Sequence, residues 1–220
     1  MTKLLKEEGF PLLVILISIV MAIFFYQILP QRFAIHWGAD GNPDGFANKS
    51  LWSVSFGPLT VVAIYLLFLI IPKIDPRKEN IAKFKQYHLF RNVLLVFFLF
   101  FEYLSLRTAA SPNQKLSSSY IIFGLGLLFI FIGNYLPKMS SNFFVGIRTP
   151  WTLSSDEVWK ETHRIGGKVF AFMGILFLLG SFLPKAASWV LFIPLVGCIL
   201  FIVIYSYYLY KKSKIKQAQG

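Results

Sequence analysis

His36, Asp40 and Asp44 recur every four residues in the stretch LPQRFAIHWGADGNPDGFANKS, and imidazole with two carboxylates is a donor set that divalent metals accept. Gly38, Gly41 and Pro43 exclude the helix that would align the three on one face, so a metal site would require the loop to fold back on itself. Turn formation is the commoner use of Asp in ADGNPDG, and no cofactor is expected. A second group sits in KMSSNFFVGIRTPWTLSSDEVWKETHRIGGK, residues 138–168: Asn142, Gly146, Arg148, Thr149, Pro150, Trp151, Thr152, Trp159, His163 and Arg164. Arg148 offers a forked donor beside the interfacial side chain of Trp151, a pairing suited to a lipid phosphate or a partner's acidic group. His163 has the chemistry of an acid–base group or ligand, but no nucleophile or carboxylate accompanies it at a recognisable spacing. It is expected to hydrogen-bond within its own loop. The third group lies inside apolar runs. Glu102 is an ionisable residue in a span, with Arg107 five positions on and poorly aligned for a direct bond. Asn134, ahead of Pro137, is expected to end its helix and to hydrogen-bond across helices.

None of these groups completes a catalytic motif; HExxH, GxSxG and paired-carboxylate signatures are all absent from the sequence. The chain therefore reads as a non-enzyme. Two competing readings stay open: a metal-assisted membrane hydrolase built on His36, Asp40 and Asp44, and a small transporter built on Glu102 and Arg107. The lone Cys198 excludes an intramolecular disulfide.

The elements that must position these residues are membrane helices. Of 220 residues, 56% are hydrophobic and 18% aromatic, too apolar for a soluble domain. Six runs are long enough to cross a hydrocarbon core: 10–29, 51–71, 91–110, 118–136, 167–183 and 189–210. The first, lacking a small-residue cleavage site, reads as a retained span. The fold class is all-α and polytopic. The net charge of +12 is dispersed between the runs, which argues against a nucleic-acid partner and for a topology signal. With both termini cytoplasmic, seventeen Lys and Arg fall on the inner side and five on the outer: Arg32, Lys49, Arg107, Lys115 and Lys185. That orientation puts the 138–168 loop in the cytoplasm and the 30–50 loop outside. Tyr205, Tyr207, Tyr208 and Tyr210 ahead of KKSKIK read as an aromatic belt with a basic anchor, in contact with membrane lipids.

Within the inner loop, Pro150 prevents a continuous helix and pushes Thr149 towards extended backbone. Ser154 and Glu157 have capping-box spacing, so a short amphipathic helix is expected from there. Val158, Trp159, Thr162, His163, Ile165 and Gly166 share one arc; Glu157, Lys160, Glu161, Arg164 and Lys168 share the other. Gly166 and Gly167 are placed to bend the chain into the fifth span. Phe33, Ile35 and Trp37 alternate as a short extended piece. No small-xxx-small glycine pair or heptad is evident within a span.

Two segments carry a family resemblance. Pro30, His36, Gly41, Asp44 and Lys49 match an element of a small family of bacterial membrane domains of unknown function. GNYLPK (133–138), Asn142, GIRTPWTL (146–153), Val158–Trp159 and THRIGG (162–167) resemble the signature of the SdpI family, named for an immunity protein of Gram-positive bacteria. The resemblance implies a two-span N-terminal domain, 1–75, with its outer loop at 30–50, and a four-span domain, 76–220, with the motif loop at 137–168. It further implies resistance to a secreted toxin peptide. In the founding member, toxin binding also holds a cytoplasmic repressor protein at the membrane.

Overall fold

The computed structural model describes residues 2–38, 40–183 and 187–219. Lys185, counted above on the outer side, lies outside them. Among the described residues, six helices are long and apolar enough to cross a bilayer: α1 (Thr2–Ile28), α3 (Phe56–Ile74), α5 (Tyr87–Ala109), α6 (Ser118–Tyr135), α8 (Asp156–Gly180) and α9 (Ala187–Gln219). They are the six runs read from the sequence, and the protein is a multi-pass membrane protein. Shorter helices α2 (Leu51–Val54), α4 (Lys78–Lys83) and α7 (Pro150–Ser154) and a 3-10 turn, Leu136–Lys138, link them.

The helices pack as two compact units. One comprises the chain up to Ile70 together with His88–Ile121; the other comprises Ile71–Tyr87 and Ile122–Gly220. This grouping by packing differs from a cut at residue 75, because most of α5 packs with the first unit.

In the first unit, Phe25, Leu29, Phe33, Val54, Leu106 and Ala109 form one core cluster, and Val14, Val61 and Leu95 a second. The 30–50 loop is an antiparallel hairpin of β1 (Arg32–Trp37) and β2 (Pro43–Asn48). Strict alternation does not hold: the register slips between Ala34 and His36 and again between His36 and Trp37. Phe33 is buried while Ile35 is exposed, because a bulge turns successive side chains off the period of two. Gln114 fastens the hairpin to the 111–117 connection: its side-chain oxygen accepts from the Ala34 amide at 2.6 Å and its carbonyl from the Trp37 indole at 2.7 Å.

Arg91, one of the seventeen charges counted on the inner side, is 1% exposed. It donates to Glu8 at 2.9 Å and to the Glu7 carbonyl at 2.7 Å, and its guanidinium lies over the Tyr65 ring. A buried charge is tolerable only with such partners.

In the second unit, α8 is one uninterrupted helix from Asp156 to Gly180. The separate amphipathic helix and the glycine bend are corrected accordingly. Gly166 and Gly167 are buried, and a methyl at 167 would come within 2.6 Å of the Gly133 carbonyl and 2.7 Å of the Pro137 ring. Gly174 and Gly126 oppose each other in the same way, at 2.7 Å and 2.9 Å from each other's carbonyl. The glycines do have a pattern, seven apart on both α6 (126, 133) and α8 (167, 174). It escapes a search for three-residue gaps, yet it lets two backbones touch at two successive points.

Candidate functional site

The loop between Met139 and Ser155 is held by side chains from three directions. Asn142, buried, makes the first turn: its Oδ1 accepts from the amides of Phe144 and Val145 at 2.9 and 2.7 Å, and its Nδ2 donates to the Ser140 and Val145 carbonyls at 3.0 and 2.9 Å. Gly146 follows with φ of +119°, a conformation that L side chains rarely adopt. A methyl there would sit 2.5 Å from His163 Nε2 and 3.2 Å from the Trp159 ring.

His163 is fully buried on α8. Its Nε2 accepts the Ile147 amide at 3.0 Å, so Nδ1 carries the proton and donates to the Trp159 carbonyl at 2.8 Å. The Trp159 and His163 rings stack 4.0 Å apart, and the Trp159 indole donates to the Met139 carbonyl at 2.8 Å. The start and the middle of the loop thus hang from two side chains one helical turn apart. Each ring nitrogen of His163 is engaged in a hydrogen bond that ties the loop to α8.

Beyond Ile147, Arg148 is exposed, but its Nη1 donates to the Phe143 carbonyl at 2.6 Å and ties the loop across its neck. The capping box lies at Thr149 and Thr152 on α7, each hydroxyl receiving the other's backbone amide. The expected Ser154–Glu157 box is therefore replaced. Ser155, one residue later, caps α8 by accepting from the Val158 amide. Pro150 occupies the first turn of α7, where its missing amide hydrogen costs nothing. Thr152 is fully buried and donates to the Ile147 carbonyl at 2.8 Å, while Thr149 donates to Ser206 of α9 at 3.2 Å. Trp151 packs edge-tilted on Tyr207 of α9 at 5.1 Å.

The third direction is the segment before α4. Asp75, buried, accepts from the Arg77 amide at 2.6 Å and the Phe143 amide at 2.9 Å. Arg77 donates to Ser141 and, at 2.9 Å, to the Leu153 carbonyl, with its guanidinium over the Phe143 ring at 5.1 Å. Asn80 donates to the Ser141 carbonyl at 2.8 Å. These three residues were missed from sequence; their only signal is a polar DPRKEN turn between apolar runs.

On α8 the two arcs separate as expected. Val158, Trp159, Thr162, His163 and Gly166 are buried, whereas Glu157, Lys160, Arg164 and Lys168 are exposed. Arg164 pairs with Glu161 at 2.6 Å. The exposed arc borders a groove of about 410 Å³ against α9, where Glu157, Glu161 and Arg164 face Tyr208, Lys212 and Lys216.

The remaining sequence-predicted residues lie elsewhere. In the hairpin, His36 Nδ1 meets an Asp44 oxygen at 2.5 Å, while Asp40 turns to Asn42, accepting from its amide at 3.0 Å and from its side chain at 2.5 Å. Those two bonds hold the Asp40 carboxyl below its ordinary value. Two of the three metal candidates are joined and the third has its own partner; among the described residues no three His, Cys, Asp or Glu side chains gather as a metal site. Glu102, buried, accepts from the Ser18 hydroxyl at 2.5 Å, while Arg107 is exposed at the end of α5. Asn134 is exposed and donates to the Ile130 carbonyl of its own helix at 3.1 Å, so it does not bond across helices.

Residues 138–208 match the SdpI/YfhL protein family, a segment that begins just ahead of the clasped loop and includes α7, α8 and most of α9. Residues 13–71 match a domain of unknown function, DUF1648, which contains the hairpin. The chain is 27% identical over 213 residues to the Immunity protein SdpI of Bacillus subtilis (strain 168), an alignment covering 94% of this chain and 98% of that protein. The chain is similar to the SdpI/YfhL family over residues 138–208. No solved structure matches it. Within the matched segment, GIRTPWTL and THRIGG supply opposite halves of a single hydrogen-bonded unit, Ile147 on one side and His163 on the other.

Proposed function

We propose that the protein is a membrane immunity protein that protects its cell from a secreted, membrane-active toxin peptide. The observation that carries this reading is the end-to-end similarity to Immunity protein SdpI, which covers both the hairpin and the clasped loop. In this reading the two-span part, 1–75, with its hairpin outside the cell, meets the peptide, and the four-span part, 76–220, reports it inside. The exposed arc of α8, with Glu157, Lys160, Arg164 and Lys168, and the adjoining groove offer a charged face to a cytoplasmic repressor protein. Charge asymmetry supports the orientation, with both termini and the 137–168 loop cytoplasmic.

Deleting the gene and challenging cells with a panel of membrane-active peptides tests the immunity role; sensitivity to at least one peptide is expected, and an unchanged panel refutes it. The signalling half is tested by Arg148→Ala and Trp151→Ala, which are expected to abolish peptide-induced recruitment of the repressor while leaving membrane insertion intact. Recruitment at wild-type level in both variants refutes that half. Labelling of Trp151→Cys from outside the cell refutes the orientation.

A further inference from the structure

The first unit holds a cavity of about 420 Å³ at its hairpin end, a size that accommodates a small ligand or one or two peptide side chains. Its wall is aromatic: Phe33 and Trp37 from the hairpin, Trp52 from α2, Phe56 from the start of α3, Phe98 and Phe101 from α5. Set into that wall is the carboxyl of Glu102, a residue only 7% exposed. One of its oxygens accepts from Ser18; the other, Oε1, is buried without a hydrogen-bond partner. Glu102 lies seven residues before the end of α5 at Ala109, which puts it about 10 Å along the helix from the hairpin end.

A carboxyl in this position is expensive, because an acceptor removed from water is stabilised only by a donor or a cation. Gly57, in the first turn of α3, faces it, and a methyl there would come within 2.5 Å of the Glu102 side chain. The sequence therefore gives up a side chain at 57 to make room for the acid. Six aromatic rings around a single carboxyl with one free oxygen form a surface complementary to a group that is apolar along its body and positive at its tip. Ring faces attract cations, and the free oxygen supplies the missing hydrogen-bond partner.

We propose that this cavity binds an alkyl- or arylammonium group, as a lysine or an amino-terminal residue of an apolar peptide presents it. The identification of that ligand as part of a peptide rests on the immunity reading above; the recognition chemistry rests on the cavity alone. Glu102 contacts the ammonium, Ser18 and Gly57 position Glu102, and Trp37 and Trp52 contact the apolar body.

The test uses full-length protein in phosphatidylcholine nanodiscs and two probes, 4-(4-bromophenyl)butylamine and its neutral counterpart 4-(4-bromophenyl)butanol, with quenching of tryptophan fluorescence by bromine as the readout. Saturable quenching is expected, with the amine at least tenfold tighter than the alcohol. Glu102→Gln, which keeps the shape of the side chain, is expected to reduce that preference to threefold or less. Ser105→Phe, which fills the cavity while keeping Glu102 in the sequence, is expected to remove saturable quenching by both probes. Equal binding of amine and alcohol to the wild-type protein would make the cavity a plain apolar or lipid-tail site and overturn the proposal. So would the absence of saturable binding, or an undiminished preference in Glu102→Gln. The wild-type comparison decides even if a variant does not fold. Amine preference in a protein whose deletion leaves cells equally resistant to every peptide would sink the immunity reading and leave the cavity assignment standing; the opposite pair of results would do the reverse.

Discussion

Replacing His163 with Phe probes the clasp with the least change of shape. The ring and its stacking on Trp159 survive, but Ile147 loses the acceptor for its amide and the Trp159 carbonyl loses one of its donors. That carbonyl lies within α8, where the backbone ladder still engages it, so the Ile147 amide dominates the cost. An unpaired donor in a part-buried site costs about 1–2 kcal/mol, which corresponds to roughly 5- to 30-fold at about 1.4 kcal/mol per factor of ten. Hydrogen exchange on the full-length protein in detergent, resolved over residues 143–149, measures this directly. Exchange there is expected to accelerate by that factor while the amides of α9 change little. Acceleration under twofold would refute the view that His163 holds the loop. Acceleration spread evenly through α8 and α9 would also refute it, because the ring would then act only as core filling.

Gly167→Leu is expected to destabilise the second unit by at least about 1–3 kcal/mol through overpacking against the Gly133 carbonyl and Pro137, seen as a lower thermal midpoint in detergent; an unchanged midpoint would contradict the close approach. Asp75→Ala strips acceptors from the Arg77 and Phe143 amides and should cost about 1–3 kcal/mol, with faster proteolysis between Ser140 and Leu153 as the readout. Thr152→Val, nearly isosteric, is expected to cost about 1 kcal/mol by removing the bond to the Ile147 carbonyl and half of the capping box. The Asp40 carboxyl should titrate below 3.8, and Asn42→Ala should raise its midpoint, as followed by NMR of labelled Asp. Because the folded value is depressed, any stability it lends the hairpin is present above the ordinary carboxylate range and lost as pH falls through the lowered value.

Much of the architecture was legible because apolar run length is set by bilayer thickness, a constraint that acts on each segment separately. The two arcs of α8 were legible for a similar reason, since burial follows the helical period. What escaped the sequence was pairing between distant residues. Nothing in KEEGF or YHLFR announces that Glu8 and Arg91 meet, so the count of inner-side charges does not show that one of them is buried in a pair. Asp75, Arg77 and Asn80 resemble any polar turn, and only folding brings them to Ser141, Phe143 and Leu153. The glycines of THRIGG were misread as a hinge because flexibility and close approach have the same sequence signature; what decides between them is the partner backbone at Gly133. The role of His163 was anticipated correctly in kind, as a hydrogen-bonder within its loop, but its fixed tautomer follows from Ile147 alone.

The two glycine contacts between α6 and α8 lie seven residues apart, so the helices touch backbone to backbone at points separated by about 10 Å along their axes. Two fixed points define a splint. A push delivered to the charged arc near Arg164 has no soft joint between residues 167 and 174 in which to dissipate. The two rods are expected to move together over that stretch.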